Sequence, residues 1–272
     1  MPKIKVNDIE MYYEIHGQGF PIVLIMGLAA DANWWTPDEI EKFSQNFKTI
    51  IFDNRGAGRT DKPEMNYSIK MFADDTIGLM DALNVEKAHI FGASMGGMIA
   101  QEIALNYPER VEKLVLGCTN CGGSKQIVPS IEVLEKMATP RELTPEEFVN
   151  QIISLVFTEN LIEKNPDIIE FYKKRMLKTT IPLDSYQRQL KAVLGFNTFS
   201  RLKKIKAPTL IIHGKEDILV PPGNAEILAR EIPGAKLVML DNAAHLFGQP
   251  DPEKSSNAIR EFLTEKIEME AF

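Results

Sequence analysis

The chain is short of the residues that build cross-links and metal cages, with two cysteines and four histidines in 272 residues. Disulfide scaffolds and Cys/His zinc modules are excluded, because a closed structural zinc site takes four ligands. Cys118 and Cys121 form one CxxC with no second pair. They read as two reduced, partly buried thiols, with a redox pair as the other reading. No apolar run approaches the roughly 20 residues that span a bilayer, so no membrane partner is expected. The first residues, from Met1 to Asp8, lack an apolar signal region, and the expected location is cytoplasmic. A basic stretch is also missing. The net charge of −7, from 31 Lys and Arg against 38 Asp and Glu, works against a nucleic acid partner, whose phosphates are held mainly by basic side chains. A small-molecule substrate is left as the partner, with no metal and no cofactor expected.

What is present is a globular composition, 44% hydrophobic and 25% charged. Lys3–Val6 and Ile9–Glu14, separated by Asn7-Asp8, predict an antiparallel hairpin. Ile22–Met26, Thr49–Phe52, Ala88–Phe91 and Val111–Leu116 are short apolar runs of the kind buried on both faces of a parallel sheet. Between them, Ile69, Phe72, Thr76, Leu79, Met80 and Leu83 recur at helical spacing behind Ser68 as a cap, and Met95–Tyr107 forms the next helix. From Thr119 to about Ser200 the strand signals vanish. Four helical segments follow, at Ser130–Met137, Pro145–Phe157, Pro166–Leu177 and Pro182–Leu194. Apolar residues cover most of the second of these, so it must bury more than one side. Alternation returns with strands Thr209–Ile212 and Lys236–Leu240 and helices Gly223–Ile232 and Pro252–Lys266, the last with Ile259, Phe262, Leu263 and Ile267 inward. The expected fold class is α/β, a mostly parallel sheet with helices on both faces. The expected organisation is a core at 1–118 and 201–272 with an all-helical lid inserted at 119–200.

Gly92-Ala93-Ser94-Met95-Gly96-Gly97 is a G-x-S-x-G motif standing after a strand and opening a helix. That is the setting of a nucleophile elbow, where a sharp turn leaves no room for side chains beside the serine. The bland alternative is a Gly-rich turn with a capping serine. A serine hydroxyl needs a base within hydrogen-bond reach. Among the four histidines, His16, His89 and His213 sit at or near regular elements and read as structural. His245 lies in Asp241-Asn242-Ala243-Ala244-His245, a polar loop after the last strand, where parallel sheets place their sites. The third group is a carboxylate between serine and histidine in the chain. Asp217 is the choice and Glu216 the local rival.

Gly27-Leu28 after a strand, Asp53-Asn54-Arg55-Gly56-Ala57-Gly58-Arg59-Thr60, Gly92 to Gly97, Pro108-Glu109-Arg110-Val111, His213-Gly214 with Asp217, and Ala244-His245 together resemble the signatures of the α/β-hydrolase fold family, in particular its serine esterases with a helical lid. The resemblance spans most of the chain outside the lid. It implies Ser94, Asp217 and His245 as a catalytic triad and an oxyanion hole from the backbone N–H groups of Leu28 and Met95. It also implies that Asp53 and Arg55 act in an ion pair or loop clamp. One departure is Met26-Gly27, where many relatives have His-Gly, and it bears on the hydrogen bonding that steadies that loop. Serine at the elbow excludes haloalkane dehalogenases and epoxide hydrolases, which carry aspartate there. Gly27, Trp34, Phe148 and Phe171 are expected at the substrate. The leading expectation is hydrolysis of small apolar carboxylic esters through an acyl-enzyme. Alternatives are a carbon–carbon bond hydrolase or enol-lactonase of aromatic degradation, a perhydrolase and, in another class, a non-catalytic binding protein on the same fold.

Overall fold

The computed structural model describes residues 2–138, 143–178, 181–249 and 251–265. Strands β1 (Lys3–Val6) and β2 (Ile9–His16) form the expected hairpin, with Val6 opposite Ile9 across the Asn7-Asp8 turn. Then come β3 (Phe20–Ile25), α1 (Pro37–Ser44), β4 (Phe47–Phe52), α2 (Ile69–Ala82), β5 (Ala88–Ala93), α3 (Met95–Asn106) and β6 (Val111–Gly117). Among the described residues, five α-helices follow without an intervening named strand: α4 (Ile131–Ala138), α5 (Pro145–Val156), α6 (Glu159–Lys164), α7 (Pro166–Lys178) and α8 (Leu183–Leu194). The chain then returns to alternation with β7 (Thr209–Gly214), α9 (Gly223–Glu231), β8 (Lys236–Leu240) and α10 (Pro252–Thr264). Lys266 and Ile267, expected to close the last helix, lie outside the described residues.

The strands form one sheet in the order β1-β2-β4-β3-β5-β6-β7-β8. Strand β2 runs antiparallel to β1 and β4, and the pairs from β4 to β8 are parallel. Alternate residues of β3 feed two cores. Val23 and Ile25 pack on the side of α2 and α3, whereas Ile22 and Leu24 pack with residues of α1 and α10. A third apolar cluster joins α5, α6 and α7 through Ile153, Leu161 and Tyr172. Strand order reverses between β3 and β5, and such a switch point leaves a crevice at the carboxyl ends of the strands.

Two helices went unpredicted from sequence. Helix α1 begins with a full capping box, Thr36 against Glu39, with Pro37 in its first turn. That signal was legible in Thr36-Pro37-Asp38-Glu39. Helix α6 has six residues, too few for a periodicity to emerge.

Candidate active site

Ser94 is placed by the turn from β5 into α3. Its φ of 57° and ψ of −121° lie in a region that side-chain-bearing residues avoid, and its N–H is fixed to the Gly117 carbonyl at 2.9 Å. Holding such a residue costs on the order of 1–3 kcal/mol, and the surroundings must over-determine it. The glycines of the motif do so by allowing close approach. A Cβ on Gly96 would stand 2.0 Å from the Ile25 carbonyl oxygen, and one on Gly92 would stand 2.0 Å from that of Gly96. Backbone occupies both positions and cannot swing aside. Gly96→Ala is therefore expected to destabilise the fold by more than about 3 kcal/mol, read as a drop in the urea midpoint. A midpoint unchanged within error would contradict this packing.

Gly27 faces the serine across the crevice. A Cβ built on it would lie 3.0 Å from Ser94 Cβ and 3.5 Å from its Oγ. Among the described residues, neither the Leu28 N–H nor the Met95 N–H donates a hydrogen bond. Met95 follows the serine in the chain, and Leu28 follows Gly27, which packs against it. The loop from Met26 to Ala32 is steadied without the His-Gly of many relatives. Asn54 Nδ2 donates to the Met26 carbonyl at 2.9 Å, the Ala32 N–H donates to Asp53 Oδ1 at 2.8 Å, and the Ala29 N–H donates to Gln189 Oε1 at 2.9 Å. The expected clamp is present. Asp53 also pairs with Arg59 at 2.7 Å, and Arg55 pairs with Asp75 and Asp8.

Asp217 and His245 come together from the loops after β7 and β8. The His245 Nδ1–H donates to Asp217 Oδ2 at 2.8 Å, which leaves Nε2 of the neutral ring as its basic atom. Asp217 is 2% exposed, whereas its rival Glu216 is exposed to solvent. The buried carboxylate is well satisfied. Oδ1 accepts the Leu219 and Val220 N–H groups at 2.9 and 2.8 Å, and Oδ2 also meets His213 Nε2 at 3.1 Å. Burial alone would raise the Asp217 carboxyl. The charge of His245 and the hydrogen bonds of His213 and His245 outweigh it and hold the group down to about 2. For His245, burial opposes the charged ring, but the Asp217 charge prevails and raises its pKa well above the ordinary histidine range. Among the described residues, no hydrogen bond joins Ser94 to His245. Such contacts often tighten only once substrate is bound.

Sequence reasoning missed three neighbours. His213 carries its proton on Nε2, which donates to the Val220 carbonyl at 2.8 Å, so this histidine supports Asp217 from the other side. The spacing His213-x₃-Asp217 was the available signal. The Cys118 thiol, buried at the end of β6 with a φ of 41°, stands beside the His245 ring. Tyr172 of α7 lines a cavity of about 50 Å³ together with His245, Cys118, Trp34 and Met26. Trp34 packs against both the sheet core and the helical cluster. Phe171 is 40% exposed, because α7 buries the stripe of Ile169, Tyr172 and Met176, and one position along a helix turns a side chain by about 100°. Phe148 is half-buried against Tyr186, away from that cavity. The other histidines are structural. His16 pairs with Glu14, and His89 is pushed down to about 4 by burial, next to Phe20 and Phe47. A larger open groove of about 950 Å³ lies along β2, α1 and Arg175 and includes none of Ser94, Asp217 or His245. The smaller cavity borders His245 and, at about 50 Å³, is well below the roughly 300–1,000 Å³ that drug-sized ligands occupy.

These features have counterparts in known proteins. Residues 21–160 match the family model of the alpha/beta hydrolase fold. A RutD protein of Azorhizobium caulinodans, named as a carbamate hydrolase, is 31% identical over 255 residues, covering 93% of this chain and 94% of its own. The enol-lactonase of Burkholderia xenovorans LB400 superposes with a TM-score of 0.87 at 26% identity, over 97% of this chain and all of that one (100%). A thermophilic esterase of Thermogutta terrifontis gives 0.83 at 27% identity, over 96% and 97% of the two chains. With its switch-point crevice, its strained serine and this match over more than half its length, the chain belongs to the α/β-hydrolase fold family.

Proposed function

We propose that the protein is a serine hydrolase that cleaves small, apolar carboxylic esters through an acyl-enzyme, with Ser94 as nucleophile, His245 as general base and Asp217 as its orienting acid. The observation that supports this reading is the strained Ser94 with the Gly27 loop packed against it, together with the buried Asp217–His245 pair in the loops after β7 and β8. Ser94 Oγ attacks the substrate carbonyl as its proton passes to His245 Nε2, and the new oxyanion lies against the Leu28 and Met95 N–H groups. Each such donor is typically worth a factor of about 10²–10³ in rate. His245 then returns the proton to the leaving alcohol and, acting again as base, delivers water to the acyl carbonyl. Trp34, Met26 and Tyr172 give the cavity an apolar wall.

Helices α4 to α8 serve as a lid in this reading. Their apolar cluster reaches Trp34 and Leu246, and the Leu246 N–H, next to His245, donates to the Val156 carbonyl at the end of α5. The cavity of about 50 Å³ beside His245 is small for a substrate, which enters as this segment shifts. Carbamate cleavage is a second reading, favoured by the 31% identity to a protein named as a carbamate hydrolase. It uses the same acyl transfer.

A panel of p-nitrophenyl esters, enol lactones and aryl carbamates separates these readings. Esters are expected to give the highest kcat/KM. Turnover confined to carbamates or lactones would replace the ester assignment, and no turnover of any, with no labelling of Ser94 by a fluorophosphonate, would reject the hydrolase. The pH profile follows from the His245 environment. The base works as neutral imidazole, and Asp217 favours the charged ring, so kcat/KM is expected to rise with pH to a midpoint above the ordinary histidine range. A profile already flat at pH 6 would contradict it.

A further inference from the structure

Helix α8 carries an amide in the middle of its buried face. Ser185, Tyr186, Gln189 and Ala192 are the residues it buries, and Gln189 is 0% exposed. An amide in such a place is costly unless both of its ends are bonded. Both are. Oε1 accepts the Ala29 N–H at 2.9 Å and Nε2 donates to the Arg55 carbonyl at 2.8 Å. These partners belong to the loops that follow β3 and β4, 160 and 134 residues away in the chain. Ala29 itself has a φ of 63°, a left-handed conformation that a residue with a Cβ keeps only when something holds it. The core clamps the two ends of this loop, with Asn54 on Met26 and Asp53 on Ala32. Its middle is held from α8.

We propose that Gln189 is a positioning residue for the oxyanion hole. Its hydrogen bond to Ala29 fixes the Leu28–Ala29 peptide, and with it the direction in which the preceding Leu28 N–H points toward Ser94. The proposal rests on the hydrolase reading above. It makes the hole a joint product of the core and the inserted helices, since the donor is correctly aimed only while α8 is docked. Displacing α8 frees Ala29 to leave its left-handed conformation, and hydrolysis stops before any change at Ser94 or His245.

Two variants test this on the full-length protein, with p-nitrophenyl acetate as substrate and an alkylboronic acid as probe of the tetrahedral state, whose oxygen occupies the hole. Gln189→Met keeps the shape and loses both hydrogen bonds. It is expected to lower kcat by about ten- to a hundred-fold per active site titrated with fluorophosphonate, with KM nearly unchanged and boronate affinity weakened in parallel. Gln189→Glu adds a readout that loss of stability would not move. Its protonated carboxyl can accept from Ala29 and donate to Arg55, whereas the ionised form cannot donate, and burial raises its pKa. The ratio of its kcat to that of the wild type therefore rises as pH falls, and this holds as the test even if Gln189→Met does not fold. A Gln189→Met protein with kcat and boronate affinity within about twofold of wild type, or a Gln189→Glu ratio independent of pH, overturns the proposal. A wild-type protein that neither titrates nor hydrolyses any ester rejects the hydrolase reading, and the proposal falls with it. Wild-type activity with unaffected variants rejects the proposal alone.

Discussion

Ser94→Ala is expected to lower ester hydrolysis by about a million-fold, while the far-ultraviolet spectrum and melting temperature stay near those of the wild type. The hydroxyl is the sole group removed. The two N–H donors of Leu28 and Met95 and the apolar wall remain, so substrate still binds and some stabilisation of the oxyanion persists without a nucleophile to use it. The left-handed φ of 57° stays strained in this variant, because alanine keeps the Cβ. Ser94→Gly is the informative companion. It is expected to be equally inactive and about 1 kcal/mol more stable, since glycine meets no steric penalty at such angles. A purified Ser94→Ala protein with a tenth of the wild-type activity would show that another group makes the attack.

Asp217→Asn is the other large effect, a loss of about 10³–10⁴ in kcat. The carboxylate accepts from Leu219, Val220 and His245, three donors on two oxygens, and also meets His213 Nε2 at 3.1 Å. An amide has one oxygen to offer. If that oxygen stays with the two backbone N–H groups, its NH₂ faces His245 Nδ1, which must then accept. The ring turns to the Nε2–H tautomer and has no lone pair left for Ser94. The lost charge also lowers the His245 pKa, so the alkaline rise of kcat/KM should move to lower pH. Glu216→Gln, at a solvent-exposed position, is expected to leave kcat within about twofold. Equal losses in the two variants would mean that the acid had been misassigned.

Much of this molecule was legible in residue order. The period-2 and period-3.6 patterns located the strands of the sheet and most helices to within a few residues, because each element needs a consistent apolar face to fold at all. Ser94, Asp217 and His245 were recognisable as candidates because loops at strand ends need few residues, and those residues must be small, polar or titratable. Short α6 lay below what periodicity can register, and α1 had announced itself by its capping box alone.

Pairings between distant segments were a different matter. Asp217 and His245 are 28 residues apart, and their meeting at 2.8 Å depends on β7 lying next to β8. The second histidine on Asp217, the thiol of Cys118 beside His245 and the grip of Gln189 on Ala29 all depend on contacts that no local pattern encodes. Phe171 shows the same limit from the other side. Its helix was expected, but whether Phe171 or Tyr172 faced inward was decided by how α7 rotated to bury Ile169, Tyr172 and Met176 together. Sequence determined the elements, the reactive residue types and their order along the chain, because backbone propensity and amphipathicity act over a few residues. Tertiary structure alone decided which side chains share the crevice, because close packing selects the arrangement that buries the main apolar faces and leaves Asp217 and Gln189 with hydrogen-bond partners.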